Sequence, residues 1–201
     1  MIRLSVTEVD GFLYWKQSDE GLDALLARLT GQVEPTVQMQ AGKAFHKIFE
    51  NATEGEITET TVDGFTFDFA FSGDVSISPP VIRELKGELL LSTPVGPVVL
   101  VGKVDALNGR TVHDYKLTER FDAERYADSF QWRAYLLMFG ATTFVYDVFQ
   151  ARYDERRITV YDYHHLKFHS YPDIRGDVVR EVSELAEIIT KHLPQRVTEA
   201  A

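Results

Sequence analysis

Asp114 and Lys116 stand two residues apart in "TVHDYKL", inside a segment with the composition of a β-strand. Side chains two apart on a strand project from the same face, so a carboxylate and an ammonium would emerge together while Tyr115 points the other way. That pair suits phosphodiester hydrolysis. A carboxylate can hold a divalent metal that activates water and screens the phosphate, and an ammonium can meet the charge of the transition state. Taken alone, the tripeptide reads equally as an exposed salt bridge, which is common and contributes little.

Its surroundings shift that balance. "VGKVDAL" carries Asp105 at the edge of an apolar run, where a carboxylate is costly unless paired or bound to metal. The short turn "LNGR" lets the two segments form a hairpin and brings Asp105 towards Asp114. Two hard oxygen ligands suit Mg²⁺ or Mn²⁺; the alternative is an Asp capping the turn. In "GKAFH", Gly42 and His46 are one helical turn apart. His46 can complete a metal site or simply bond a carbonyl in the interior, and Gly42 can admit close approach of a backbone or ligand. "QWRAY" places Gln131 and Tyr135 on one helix face, able to orient a carboxylate or hold a strand, or to form a wet helix edge.

The elements that must position these residues follow from periodicity. Residues 6–15 read as a helix after a Ser5 or Thr7 cap, and 19–29 as a second. Residues 37–51 place Val37, Ala41, Ala44, Phe45, Ile48 and Phe49 near helical spacing. Strands are expected over 64–72, 83–93, 96–107 and 110–117, with the apolar "PVVLV" covered on both faces. A single helix over 122–140 ends at Gly140, strands follow at 142–153 and 156–164, and an amphipathic helix spans 171–193. The order predicts an α/β fold with a central mixed β-sheet flanked by helices, as one domain over 1–201.

In chain order stand G-x-x-x-H (42–46), a strand Glu (84 or 88), G-x-x-D (102–105), D-x-K (114–116) and Q-x-x-x-Y (131–135). This series resembles the RecB-type exonuclease branch of the PD-(D/E)XK nuclease superfamily, and "LSVTEVDGFLYW" resembles the helical start common in that branch. The resemblance implies a restriction-endonuclease-like core and a Mg²⁺- or Mn²⁺-dependent deoxyribonuclease of recombination, repair or phage DNA processing. It implies that His46, Asp105 and Asp114 bind the metal with the carbonyl of Tyr115, and that Lys116 positions the attacking water. Asp105, Asp114 and Lys116 would form the catalytic set, with Gln131 and Tyr135 supporting the site and contacting DNA. For the family's further acidic residue, Glu88 is preferred to Glu84 because it lies deeper in the apolar run. A non-catalytic DNA-binding module and a structure-specific endonuclease are the alternatives. DNA ends are the expected partner, with a helicase or annealing protein, or a second copy of the chain, as further partners.

Composition bounds these readings. The chain has no Cys, which removes disulfides and the Cys-ligated iron–sulfur cluster found in part of the branch. No apolar run nears the roughly 20 residues of a membrane span, and the start lacks a signal-peptide layout, so a cytoplasmic protein with no membrane partner is expected. A net charge of −10 argues against a generally adhesive nucleic-acid coat, though carboxylates gathered around divalent cations are compatible with it. His164, His165 and His169 read as a solvated strand end and loop. Arg152, Arg156 and Arg157 are read either as a phosphate-contact patch or as a charged hairpin turn. No G-x-x-x-x-G-K-[ST] run exists, so no ATP-driven motor is encoded in these residues.

Overall fold

The computed structural model describes residues 1–52, 59–70 and 82–197. It opens on β1 (Ile2–Ser5), which leads into α1 (Val6–Lys16). Ser5 caps that helix reciprocally: its hydroxyl accepts the Glu8 N–H at 3.1 Å, and the Glu8 carboxylate accepts the Ser5 N–H at 2.7 Å. Two helices follow, α2 (Leu22–Leu29) and α3 (Val37–Asn51), the latter capped by the Thr36 hydroxyl on the Met39 N–H. Then come β2 (Glu59–Val62), β3 (Phe65–Phe69), β4 (Ile82–Thr93), β5 (Gly96–Asn108) and β6 (Thr111–Thr118). After α4 (Ala123–Asp128) and α5 (Phe130–Phe139), the chain returns to β7 (Thr143–Asp154) and β8 (Arg157–His169), and α6 (Ile174–His192) follows.

The strands form one mixed eight-stranded sheet in the order β1-β5-β6-β7-β8-β3-β2, with β4 also paired to β5. The mixed α/β architecture expected from the sequence is therefore present. On one face, α1, α2, α5 and α6 cover Leu4, Leu100, Val104, Phe144, Tyr146 and Val148. On the other, α3 packs Ala41, Ala44, Phe45, Ile48 and Phe49 against Phe65, Phe67, Tyr115, Phe149 and Val160. The apolar stripe of α6 is fully buried at Val178, Val182, Leu185 and Ile189. The strand β6 runs between both layers, so alternation along it sends Asp114 towards one and Tyr115 towards the other.

Several expectations are corrected. Strands β1 and β2 are short, and β1 exists through parallel pairing with residues 98–101 of β5, a partner distant in sequence. Val37 is exposed rather than part of the apolar face of α3. In β5, Val98 and Leu100 are buried but Val99 and Val101 are half-buried, so the apolar run is not covered equally on its two faces. Strand β8 continues through His164, His165 and His169, because β7 pairs with it as far as Thr143–His169. The expected helix over 122–140 is broken at Ser129, which adopts φ −58° and ψ 139°. Residues 71 and 72 of the strand expected over 64–72 lie outside the described residues.

Candidate functional site at the parting of two strands

Strands β5 and β6 pair only over Ala106–His113, Leu107–Val112 and Asn108–Thr111, at the hairpin end. Beyond that the two strands separate, and β5 takes β1 as its neighbour from Val101 back to Val98. Asp105 and Asp114 sit where the separation begins. The Tyr115 N–H, which continued pairing would give to a backbone carbonyl, instead donates to Asp105 Oδ2 at 2.8 Å. A carboxylate thus replaces a ladder partner and satisfies a buried donor. The gap opens to both helical layers at once, so α3 and α5 both reach it.

From the α3 side, His46 Nδ1 lies 3.0 Å from Asp105 Oδ1. Burial raises the Asp105 carboxyl's proton affinity, but His46, the Lys116 charge and the Tyr115 N–H outweigh it and hold the pKa below the usual carboxylate value. From the α5 side, Gln131 Nε2 donates to Asp114 Oδ1 at 2.9 Å. Lys116 Nζ approaches Asp114 Oδ2 to 2.6 Å, so that buried oxygen is paired with the ammonium and no other donor reaches it. Asp114 is 3% exposed, and desolvation with the nearby Asp105 charge pushes its pKa up to about 6 despite the Lys116 ammonium. Burial opposes the Lys116 charge, but the two carboxylates overcome it and raise its pKa. The ammonium also lies 5.8 Å from the Tyr146 ring centroid.

The supporting residues divide unequally. Gly102 of the G-x-x-D motif lies under Tyr135, where an added Cβ would stand 2.5 Å from the ring. Opposite it in the β4–β5 ladder is Gly87, where a Cβ would meet Phe139 at 2.7 Å and Met138 at 2.8 Å. This pair of facing glycines seats α5 directly on the strands and sets the depth at which Gln131 enters the gap. The Tyr135 hydroxyl donates to the Lys103 carbonyl at 2.9 Å and meets the Gln131 side chain, so Tyr135 docks the helix beside the gap. At Gly42 nothing lies within 4 Å of an added Cβ, so no close approach explains that glycine.

Of the residues singled out from the sequence, His46, Asp105, Asp114, Tyr115, Lys116 and Gln131 converge. The Tyr115 ring stacks on Phe49 with centroids 4.2 Å apart, anchoring the strand from the opposite face. Glu88 does not join them. It is exposed, faces Val101 across the ladder and pairs with Arg3 at 2.5 Å, because strand alternation turns it away from the helices that cover Leu89 and Leu91. Glu84 lies nearer, between the pairs Arg83–Ala106 and Leu85–Val104 that flank Asp105. It has a left-handed φ of 53° and is paired to Lys103.

Three contributors escaped the sequence reading. Asp10 of α1 accepts from the Ser129 hydroxyl at 2.7 Å and from the Phe130 N–H at 2.9 Å, taking the donors freed where α4 and α5 part. Tyr146 donates to Ser129 Oγ at 3.0 Å from beneath Lys116. The dipeptide Asp128-Ser129, two poor interior helix formers favoured at caps, was the available signal for the break. Nothing local marks Asp10 or Tyr146. Among the described residues no three His, Asp or Glu side chains form a ready-made metal cage, since Asp105 is engaged by His46 and Tyr115. The potential donors are His46, Asp105, Asp114 and the Tyr115 carbonyl.

No family model matches the chain, and no curated protein sequence does. Solved structures do. The structure of SSO0001 aligns with a TM-score of 0.54 and 10% identity over 98% of this chain and 88% of its own. An exonuclease candidate from Eubacterium rectale aligns with a TM-score of 0.56 and 12% identity over 98% of this chain and 83% of its own. The fold is shared. LHK-Exo in complex with dAMP aligns at a TM-score of 0.47 with 14% identity, over 94% of this chain and 88% of its own. Among the described residues no helix is long and apolar enough to cross a membrane.

Proposed function

We propose that the chain is a Mg²⁺- or Mn²⁺-dependent nuclease that hydrolyses phosphodiester bonds at DNA ends. The observation that carries this reading is the parting of β5 from β6, where Asp105, Asp114 and Lys116 meet His46 and Gln131. Its fold-mate from Eubacterium rectale, described as an exonuclease candidate, agrees with it. The donor set fits a hard divalent cation: two carboxylates, an imidazole and a backbone carbonyl, with Asp114 Oδ2 buried and met by the Lys116 ammonium alone. A cation held there supplies Lewis acidity to the phosphate and acidifies a bound water.

The chain's own residues do the rest. Gln131 fixes the orientation of Asp114 through Oδ1, so that Oδ2 faces the Lys116 ammonium. Lys116, kept protonated by its two carboxylate neighbours, orients the attacking water and stabilises charge on the phosphate as the bond breaks. Tyr146 and Asp114 hold the ammonium in place from two sides. His46, which lies 3.0 Å from Asp105 Oδ1, would hold the cation together with Asp105 and Asp114.

Digestion of single- and double-stranded DNA labelled at the 5′ or 3′ end, with and without Mn²⁺, tests the reading. Metal-dependent products that disappear in Asp114→Ala and Lys116→Ala are expected. Products that persist in either purified variant would overturn the assignment. The closed contact between His46 and Asp105 favours, as a second reading, a DNA-binding module without turnover. Titration calorimetry with Mn²⁺ separates the two, since absence of binding supports the module.

A further inference from the structure

The short helix α4 presents a physical puzzle. It buries none of its six residues, yet it is fixed at both ends. Asp122 caps its start through the Glu124 and Arg125 N–H groups, at 3.0 and 3.4 Å. At its end, Arg133 donates to the carbonyls of Ala127, Asp128 and Ser129, and the Trp132 indole N–H donates to Ala127 O at 3.0 Å. Asp10 then takes the donors of Ser129 and Phe130. A segment with no fully buried residue ordinarily frays; this one is held at both ends beside the proposed active site.

Its side chains show what it holds. Tyr126 packs against Tyr146, centroids 5.0 Å apart, the same ring that lies beneath Lys116. Its phenol meets the Thr118 side chain and lies within the fields of both Lys116 and Arg125. Arg125, one residue earlier, is exposed. No ion pair engages it among the described residues, as is also true of Arg120 and Arg175; what distinguishes it is its place one residue before Tyr126, on the segment packed against the ring beneath Lys116. The adjacent Asp122 is occupied by the helix start, while Glu124 is exposed and keeps the local balance from being generally basic. A guanidinium left unpaired in an acidic protein, on a segment immobilised next to Lys116, suits one anion at a defined place more than diffuse attraction.

We propose that α4 is the strand-holding element of the site, with Arg125 and Tyr126 contacting a backbone phosphate adjacent to the one cleaved. The substrate is then a polynucleotide strand rather than a mononucleotide ester. The inference rests on the nuclease reading for its location, but the contact itself can be measured without turnover. Fluorescence anisotropy of a labelled single-stranded oligodeoxynucleotide, with EDTA present, gives Kd as a function of salt for the wild-type chain, Arg125→Ala, Tyr126→Phe and Lys191→Ala. Lys191 is an exposed cation on α6 and serves as the control for bulk charge.

Arg125→Ala should weaken binding roughly 5–10-fold at low salt and flatten the slope of log Kd against log salt by about 0.7, one phosphate contact on a single strand. Tyr126→Phe should weaken it a few-fold, and Lys191→Ala should change neither quantity. An unchanged Kd and slope in Arg125→Ala, or an equal change in Lys191→Ala, overturns the proposal. Cleavage separates the two levels: hydrolysis of a small phosphodiester such as a nitrophenyl ester of thymidine monophosphate should survive Arg125→Ala. A wild-type chain that binds through Arg125 but cleaves neither substrate overturns the nuclease reading and leaves the contact standing.

Discussion

Asp114 and Asp147 are neighbours across two paired strands, both almost wholly buried, and they are treated in opposite ways. Asp147 stands beside Tyr115 in the ladder and faces the α3 layer. It accepts from Tyr163 OH at 2.5 Å and meets His113 Nδ1 at 2.8 Å and His165 Nδ1 at 3.2 Å, so both oxygens are engaged. Asp114, one residue along on β6, faces the α5 layer with the Gln131 amide at Oδ1 and only the Lys116 ammonium at Oδ2. Burial among three donors satisfies a carboxylate; burial against one amide and one ammonium leaves lone pairs that a cation could use. The contrast separates a carboxylate enclosed by donors from one with fewer partners, although both are Asp on central strands.

The largest test of that contrast is catalytic. Lys116→Ala and Asp114→Ala should each lower cleavage by about 10³-fold or more while circular dichroism is unchanged. Asp147→Ala should retain most activity in whatever fraction remains folded. If Asp147→Ala is as inactive as Asp114→Ala at full folding, the two sites are not distinct.

Stability should show the inverse. Asp147→Ala leaves two imidazoles and a phenol without their common acceptor, and about 2–4 kcal/mol of unfolding free energy should be lost in urea titrations. Asp114→Asn in the metal-free protein should go the other way at pH 7, gaining about 1–3 kcal/mol, because it removes a buried charge that desolvation disfavours. A loss of stability in Asp114→Asn would show that its carboxylate is structural.

The pH dependence follows with a defined sign. A carboxyl whose folded pKa is raised to about 6 binds its proton more tightly folded than unfolded. Between about pH 4 and pH 6 the folded state therefore holds more protons, and metal-free stability should fall as pH rises through that window, then level off. The fall should vanish in Asp114→Asn and persist in Asp147→Asn. Added Mn²⁺ should restore wild-type stability above pH 6, measured as a rise in Tm, and should do nothing for Asp114→Asn.

The smallest expected effect is at Glu88. Its exposed pair with Arg3 is screened by solvent, so Glu88→Ala should leave cleavage and Tm almost unchanged. A strong loss of activity there would reopen the position as part of the site.

The elements that obey a local rule were readable from residues alone. The apolar spacing of α3 and α6, the alternation of β3 and the glycine that stops α5 with φ 59° at Gly140 all act within one segment. So does the shared face of Asp114 and Lys116, since a strand's period of two is a property of the backbone. The sequence also set the donor types, with no Cys, two Asp, a His and a Lys in a defined order.

Tertiary structure decided what those residues face. Glu84 and Glu88 share a strand and a parity, and only packing showed that one lies beside Asp105 while the other pairs with Arg3 in solvent. The break at Ser129 depends on Asp10, 119 residues away, because hydrogen bonds lost inside a helix must be replaced by whatever the fold brings near. The depth of Gln131 depends on two glycines that become opposite only when β4 pairs with β5. Asp114 and Asp147 cannot be told apart by residue type, since what separates a structural carboxylate from a poised one is the number of donors around it. That number belongs to the packed core and is written in no single stretch of chain.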